Sequence, residues 1–81
     1  MRSLHSPQYK AYIAVLVEAR IGARMTQQAL AKTLEKPQSF VSKYERGERR
    51  LDVPEFLLIA RALGVRSVTL IRRIEAKIFD E

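Results

Sequence analysis

Apolar residues recur along this chain at intervals of three and four positions, the spacing of one face of an α-helix. The first such stripe follows Ser6-Pro7, a pair typical of a helix N-cap and first helical position, and ends near Gly22. Four further segments carry apolar residues at helical spacing, and none shows the strict alternation of a strand. The pattern predicts an all-α fold of five helices in a single domain covering residues 1–81.

Residues 26–46 predict two short helices joined by a tight connection. Thr26 is a suitable N-cap for the first helix, and Pro37 begins the second, which ends at Gly47. On the second helix, Val41 and Tyr44 lie on one apolar side. The polar side carries Gln38, Ser39, Ser42, Lys43 and Arg46. Glutamine, serine and basic side chains can bond to base edges or phosphates, so this face fits the major groove of double-stranded DNA.

Phe40 lies between the apolar and polar sides of this helix. Two interpretations fit that place equally well. The ring can contact a thymine methyl or a sugar, or it can fill the edge of the core.

The charge of the chain is uneven. Residues 1–50 carry ten basic and four acidic residues, whereas residues 51–81 carry five of each, so the whole excess of +6 lies in the half with the two short helices. A polyanionic partner such as DNA explains this distribution most simply. A solvated basic surface that only aids solubility is the alternative.

The composition argues against several other classes of protein. Without cysteine and with His5 as the single histidine, the sequence indicates neither a metal site nor a catalytic triad, and no enzyme, cofactor or small-molecule ligand is expected. The apolar runs are too short to cross a membrane, and the first residues lack an apolar signal segment. These features predict a cytoplasmic protein.

The last two helices are predicted from their caps. Asp52 and Glu55 form a capping-box pattern that opens the fourth helix, and Gly64 stops it. Ser67 is the expected N-cap of the fifth helix, which runs to about Phe79. Its apolar positions, which spread over about half the helix circumference, include Leu70, Ile74 and Ile78. This surplus favours a homodimer contact through those three residues; the alternative is a terminal helix that covers the core of a monomer.

The chain resembles the Cro and phage-repressor type of helix-turn-helix, the XRE family with its lambda-repressor-like DNA-binding domain. The matching residues are M-T-Q-Q-x-L-A at 25–31, P-Q-S-x-V-S-K-Y-E-R-G-x-R-x-L at 37–51 and A-L-G-V at 62–65. The resemblance covers roughly residues 8–66. It implies five helices, with the second and third forming the unit that reads DNA, and a dimer whose two reading helices lie one DNA turn, about 34 Å, apart on a palindromic operator.

The resemblance also implies a role for each matched residue. Gln27 would contact a phosphate and brace Gln38, and Gln38 and Ser39 would read bases. Ser42 and Lys43 would contact bases or backbone. The full DNA-binding set implied is Thr26, Gln27, Gln28, Gln38, Ser39, Phe40, Ser42, Lys43, Arg46, Arg49 and Arg50, with the last three arginines on phosphates.

Arg20, Glu45 and Glu35 are expected to matter for the fold more than for DNA binding. Arg20 and Glu45 fall on the core-facing sides of their helices, where an unpaired charge would be costly. Members of the family pair such residues, so an ion pair is expected here. Glu35 stands where related sequences commonly carry glycine with positive φ, at a cost on the order of 1 kcal/mol.

The resemblance implies a sequence-specific transcriptional regulator, and repression by blocking a promoter is the expected mechanism. A phage or mobile-element repressor, a restriction–modification controller and an autoregulating antitoxin all fit. The antitoxin would have a toxin protein as its main partner. A protein-interaction module on the same fold is a further alternative, and it predicts no salt-dependent DNA binding.

Overall fold

The computed structural model describes residues 5–80, and within them the chain forms five α-helices and no strand. The helices are α1 (Pro7–Gly22), α2 (Gln27–Leu34), α3 (Gln38–Glu45), α4 (Val53–Leu63) and α5 (Ser67–Phe79). The predicted all-α, five-helix fold is confirmed. Residues 1–4 and 81 of the predicted domain lie outside the described part of the chain.

Side chains cap three helices where the sequence places caps. Ser6 Oγ and Thr26 Oγ1 each accept a hydrogen bond from the backbone N–H three residues later, at 3.1 and 3.0 Å. Asp52 and Glu55 form a complete capping box, in which each side chain accepts from the other residue's N–H. These bonds satisfy donors that a helix N-terminus otherwise leaves unpaired.

The starts of α3 and α5 differ slightly from the prediction. Pro37 is the N-cap of α3 rather than its first residue, because its ψ of 154° is extended. Ser67 is the first residue of α5, and Arg66 is the N-cap. Neither helix has a side-chain cap, so both depend on packing for their position.

Left-handed backbone occurs at two non-glycine residues in the turns around α2. Glu35 has a φ of 59°, which confirms the positive φ expected there. α1 ends at Gly22 as predicted, and the left-handed conformation in the turn that follows falls at Arg24, with a φ of 61°. Each of these residues costs on the order of 1 kcal/mol relative to glycine.

The core lies where all five helices meet. α1 packs against α3 and α5, α2 packs against α3 and α4, and α4 also packs against α5. The largest fully buried side chains are Val15, Leu16, Leu30, Val41, Tyr44, Ile59 and Leu70. Since α3 contributes Val41 and Tyr44 to this core, its opposite face is held toward solvent.

Candidate nucleic-acid interface

The outward face of α3 is a row of polar side chains without a bulky apolar member. Gln38, Ser39 and Lys43 are exposed, and Ser42 is half-buried. The Ser42 hydroxyl donates to the Ser39 carbonyl at 3.3 Å, a bond that a base or phosphate partner can replace. The face offers amide, hydroxyl and ammonium groups, which are the groups that bond to base edges in the major groove.

An ion pair fixes the C-terminal end of α3 to α1. Arg20 Nε and Nη2 donate to the two carboxylate oxygens of Glu45, at 2.7 and 3.1 Å. Arg20 Nη1 also donates to the Met25 carbonyl at 2.8 Å. The side chains are only 14 % and 6 % exposed, and the hydrogen bond to Glu45 raises the pKa of Arg20. The paired charges therefore hold the end of α3 in place.

Gln27 joins this ion pair from the first turn of α2. Its Nε2 donates to Glu45 Oε1 at 2.8 Å. The expectation that Gln27 braces Gln38 is corrected here, because the Gln27 amide is directed to the opposite end of α3. Glu45 thus accepts hydrogen bonds from side chains of α1 and α2 while standing on α3.

The start of α2 presents the remaining predicted residues of that helix. Thr26 and Gln28 are exposed, and Thr26 Oγ1 is engaged in capping. No acidic residue lies in the first turn of α2. No side chain of this turn therefore offsets the positive end of the helix dipole, which favours the binding of a phosphate.

Phe40 belongs to the core and not to the outward face. Its side chain is 9 % exposed, and its ring packs edge-to-face on Tyr44 with 5.6 Å between centroids. A ring so enclosed has little surface for a thymine methyl. The expectation that Phe40 contacts DNA is therefore corrected, and the alternative of a core-edge side chain is the one observed.

Arg46 and Arg49 form ion pairs within the protein. Arg46 makes two hydrogen bonds to Glu48, at 3.1 and 3.0 Å, and both side chains are more than half exposed. These bonds lower the pKa of Glu48. Arg49 makes two hydrogen bonds to Glu55, at 3.0 and 2.8 Å. Sequence reasoning missed both partners, although opposite charges two and six positions apart were a visible signal.

Arg50 lies beside the aromatic residues of α1. Its guanidinium carbon is 5.7 Å from the centroid of the Tyr9 ring. The Tyr9 hydroxyl in turn accepts a hydrogen bond from the Leu51 N–H at 3.1 Å. Tyr9 of α1 therefore anchors the loop between α3 and α4.

The residues predicted for a dimer contact divide between the core and the surface. Leu70 is fully buried against the protein's own core, so it cannot form a subunit interface, and that expectation is corrected. Ile74 and Ile78 are half-buried. The large apolar residues of α5 that are exposed are Val68, Ile71 and Phe79.

An apolar groove opens between the start of α4 and the middle of α5. Val53, Leu57 and Ile71 are exposed along it, and Ile74 and the two tyrosines of α1 line it as well. The i, i+4 spacing of Val53 and Leu57 was the sequence signal for this surface. Periodicity alone, however, does not predict which apolar residues of a helix remain exposed to solvent.

The described residues hold neither a metal-binding cluster nor a membrane-spanning helix. No three histidine, cysteine, aspartate or glutamate side chains in residues 5–80 converge as metal ligands would. No helix in that range has both the length and the apolar character needed to cross a bilayer.

Comparison with known proteins places this arrangement among helix-turn-helix domains. A helix-turn-helix family model matches residues 16–71, a span that includes α2, α3 and α4 in full. Among solved structures, an XRE-family like protein from Pseudomonas syringae pv. tomato str. DC3000 is 45% identical to this chain, with a TM-score of 0.84. The match covers 93% of this chain and 92% of that one. No curated protein matches the chain.

Proposed function

This chain belongs to the XRE family of helix-turn-helix proteins and is a DNA-binding transcriptional regulator, and from that premise we propose that it is a repressor that binds a palindromic operator as a homodimer. The observation that carries the proposal is the exposed polar face of α3, opposite the buried Val41 and Tyr44. A helix oriented in this way can enter the major groove without disturbing its own packing.

Base reading is assigned to the first turn of α3. Gln38 and Ser39 are exposed there, and the first turn is the part of a recognition helix that lies deepest in the groove. A glutamine amide can bond to adenine N6 and N7 together. Ser42 and Lys43 lie further along the same face and are assigned to bases or backbone.

Phosphate contacts are assigned to the residues that flank the reading face. These are Thr26, Gln27 and Gln28 at the start of α2, and Arg46 and Arg50 beyond the end of α3. Such contacts fix the register of the protein on the duplex but do not select sequence. Gln27 can keep its hydrogen bond to Glu45 while its amide oxygen remains available to a donor.

The groove between α4 and α5 is the proposed subunit contact. Val53, Leu57 and Ile71 expose apolar surface next to one another, and burying it against a second copy removes that surface from water. A two-fold contact uses the same patch on both subunits. Residues 51–81 carry balanced charge, so two such surfaces can meet without strong repulsion.

Repression follows if the operator overlaps a promoter, because a bound dimer then excludes the polymerase.

The test is a selection from random DNA duplexes with the purified protein at near-physiological salt, with Gln38→Ala as the matched variant. Enrichment of a palindrome whose half-sites lie about one helical turn apart would support both operator and dimer. Enrichment of a single unpaired half-site would overturn the dimer, and no enrichment by a folded protein would overturn the operator-binding proposal. A reporter promoter carrying the selected site then distinguishes repression from activation.

A further inference from the structure

Arg49 contacts three parts of the protein, and its side chain is 40 % exposed. Its guanidinium carbon lies 4.7 Å from the centroid of the Phe40 ring on α3. Its Nη1 and Nη2 donate to the two carboxylate oxygens of Glu55 on α4, at 3.0 and 2.8 Å. Nη1 also donates to the Arg50 carbonyl at 2.8 Å. One planar cation therefore contacts α3, the following loop and the start of α4 together.

This contact joins two helices that share α2 as a neighbour but otherwise pack on different helices. The main partners of α3 are α1 and α2, whereas those of α4 are α2 and α5. Phe40 follows Ser39 directly, in the turn of α3 to which base reading is assigned. The stacking of Arg49 on Phe40 thus ties the base-reading turn to the capping box of α4.

The charge of Arg49 is also compensated. Glu55 receives both of its terminal nitrogens, and the Asp52 N–H donates to the same carboxylate at 3.0 Å. A phosphate would have to compete with a two-bond contact, which is the stronger form of ion pair. Glu55 is 21 % exposed in this pair, whereas the Glu48 partner of Arg46 is 55 % exposed and is more easily replaced by a phosphate. This differs from the phosphate role that the family resemblance implies for Arg49.

We propose that Arg49 is a positioning residue, which fixes the first turn of α3 against α4 and thereby sets base discrimination, and that it is not a phosphate contact. The consequence for DNA rests on the proposed function, since it assumes that α3 reads bases. The contact of Arg49 with Phe40 and Glu55, the Arg49 brace, does not depend on DNA. It can therefore be measured on the free protein.

Two conservative variants distinguish the positioning role of Arg49 from the effect of its positive charge alone. Arg49→Lys keeps the positive charge but loses the planar two-bond contact and most of the stacking. Glu55→Gln removes the carboxylate charge but keeps a side chain that can complete the capping box. Arg61→Ala is the control, because Arg61 is an exposed cation on α4 outside the proposed site.

The first measurement is amide hydrogen exchange on the free protein. We expect Arg49→Lys and Glu55→Gln to raise exchange in the first half of α3 by roughly two- to fivefold, the size typical of one lost cation–π contact. Exchange in α5 should not change, and Arg61→Ala should leave both helices as in the wild type. Unchanged exchange in α3 for both variants would overturn the brace.

The second measurement is binding to the selected operator and to unrelated DNA over a range of salt. We expect both brace variants to lower the ratio of specific to unspecific affinity by roughly three- to tenfold, with an unchanged salt slope. A phosphate contact predicts the reverse: Arg49→Lys would bind as the wild type, and Arg49→Ala would flatten the slope by about one unit at an unchanged ratio. If the wild-type protein selects no operator, the proposed function is wrong. The hydrogen-exchange measurement on the free protein then still tests the positioning role of Arg49.

Discussion

Gln27 Nε2 lies 2.8 Å from Glu45 Oε1, so the first turn of α2 is bonded to the last turn of α3. Arg20 of α1 occupies both oxygens of the same carboxylate. Three helices thus meet at one side chain that is 6 % exposed. The angle between α2 and α3 depends on this junction, together with the apolar packing beneath it.

Removing the carboxylate should destabilise the fold. Glu45→Ala leaves the Arg20 guanidinium largely enclosed without its partner, and we expect the free energy of unfolding to fall by about 3 kcal/mol. Urea unfolding measures this loss. Gln27→Ala is the matched control, since it removes one hydrogen bond and should cost about 1 kcal/mol. Equal losses in the two variants would contradict the ion pair as the main tie.

Base discrimination should depend on Gln38. Gln38→Ala removes an exposed amide from the first turn of α3, and we expect a loss of roughly 1–3 kcal/mol at one or two base positions of the operator. Binding to operators with single base changes measures it. Gln8→Ala, an exposed glutamine on α1, should leave every operator unaffected. Uniform weakening by Gln38→Ala across all sequences would remove Gln38 from the base contacts.

Tyr44 and Tyr9 should respond in opposite directions to the loss of their hydroxyl groups. Tyr44 Oη is buried and has no hydrogen-bond partner among the described residues, and burial raises its pKa. Tyr44→Phe should therefore stabilise the protein by about 1 kcal/mol. Tyr9→Phe should destabilise it by about the same amount, because the Leu51 N–H loses its acceptor. Thermal unfolding compares the two, and destabilisation by Tyr44→Phe would mean that an ordered water satisfies the hydroxyl.

The free energy of unfolding should fall at acid pH because Glu55 becomes protonated. The hydrogen bonds from Arg49 lower the pKa of Glu55 below its ordinary value of 4.5. Because the folded protein holds this group ionised, its contribution is fully present above pH 4.5 and is lost as the pH falls through the lowered pKa. Urea unfolding at pH 7 and pH 3 measures the loss, which should be smaller in Glu55→Gln. A loss of the same size in this variant would assign the acid sensitivity to other carboxylates.

The subunit contact can be tested with two leucines on one helix. Leu57 borders the groove with α5 and is 47 % exposed, whereas Leu58 is 56 % exposed and borders a different cleft beside α2. Leu57→Glu places a charge in the proposed interface and should give a monomer in sedimentation equilibrium. Leu58→Glu should remain a dimer. If only Leu58→Glu dissociated the dimer, the subunit interface would lie on the other side of α4.

Local patterns predicted the helices and most of their caps, because a cap depends on residues three positions apart. The buried side of α3 was equally accessible, since Val41 and Tyr44 recur at helical spacing. Leu70 was placed wrongly because periodicity defines a face of α5 but not which part of that face the core covers. Gln27 was assigned to Gln38, whereas its partner is Glu45, eighteen positions away. Such a contact depends on how the helices pack and not on spacing.

The start of α3 has a consequence for how new specificities can arise. Pro37 caps this helix without a side-chain hydrogen bond, and Gln38 is exposed at its first position. A residue that neither caps the helix nor fills the core can be exchanged at small cost in folding free energy. The operator preference of such a domain can therefore diverge among descendants, or be redesigned, while the supporting helices stay the same.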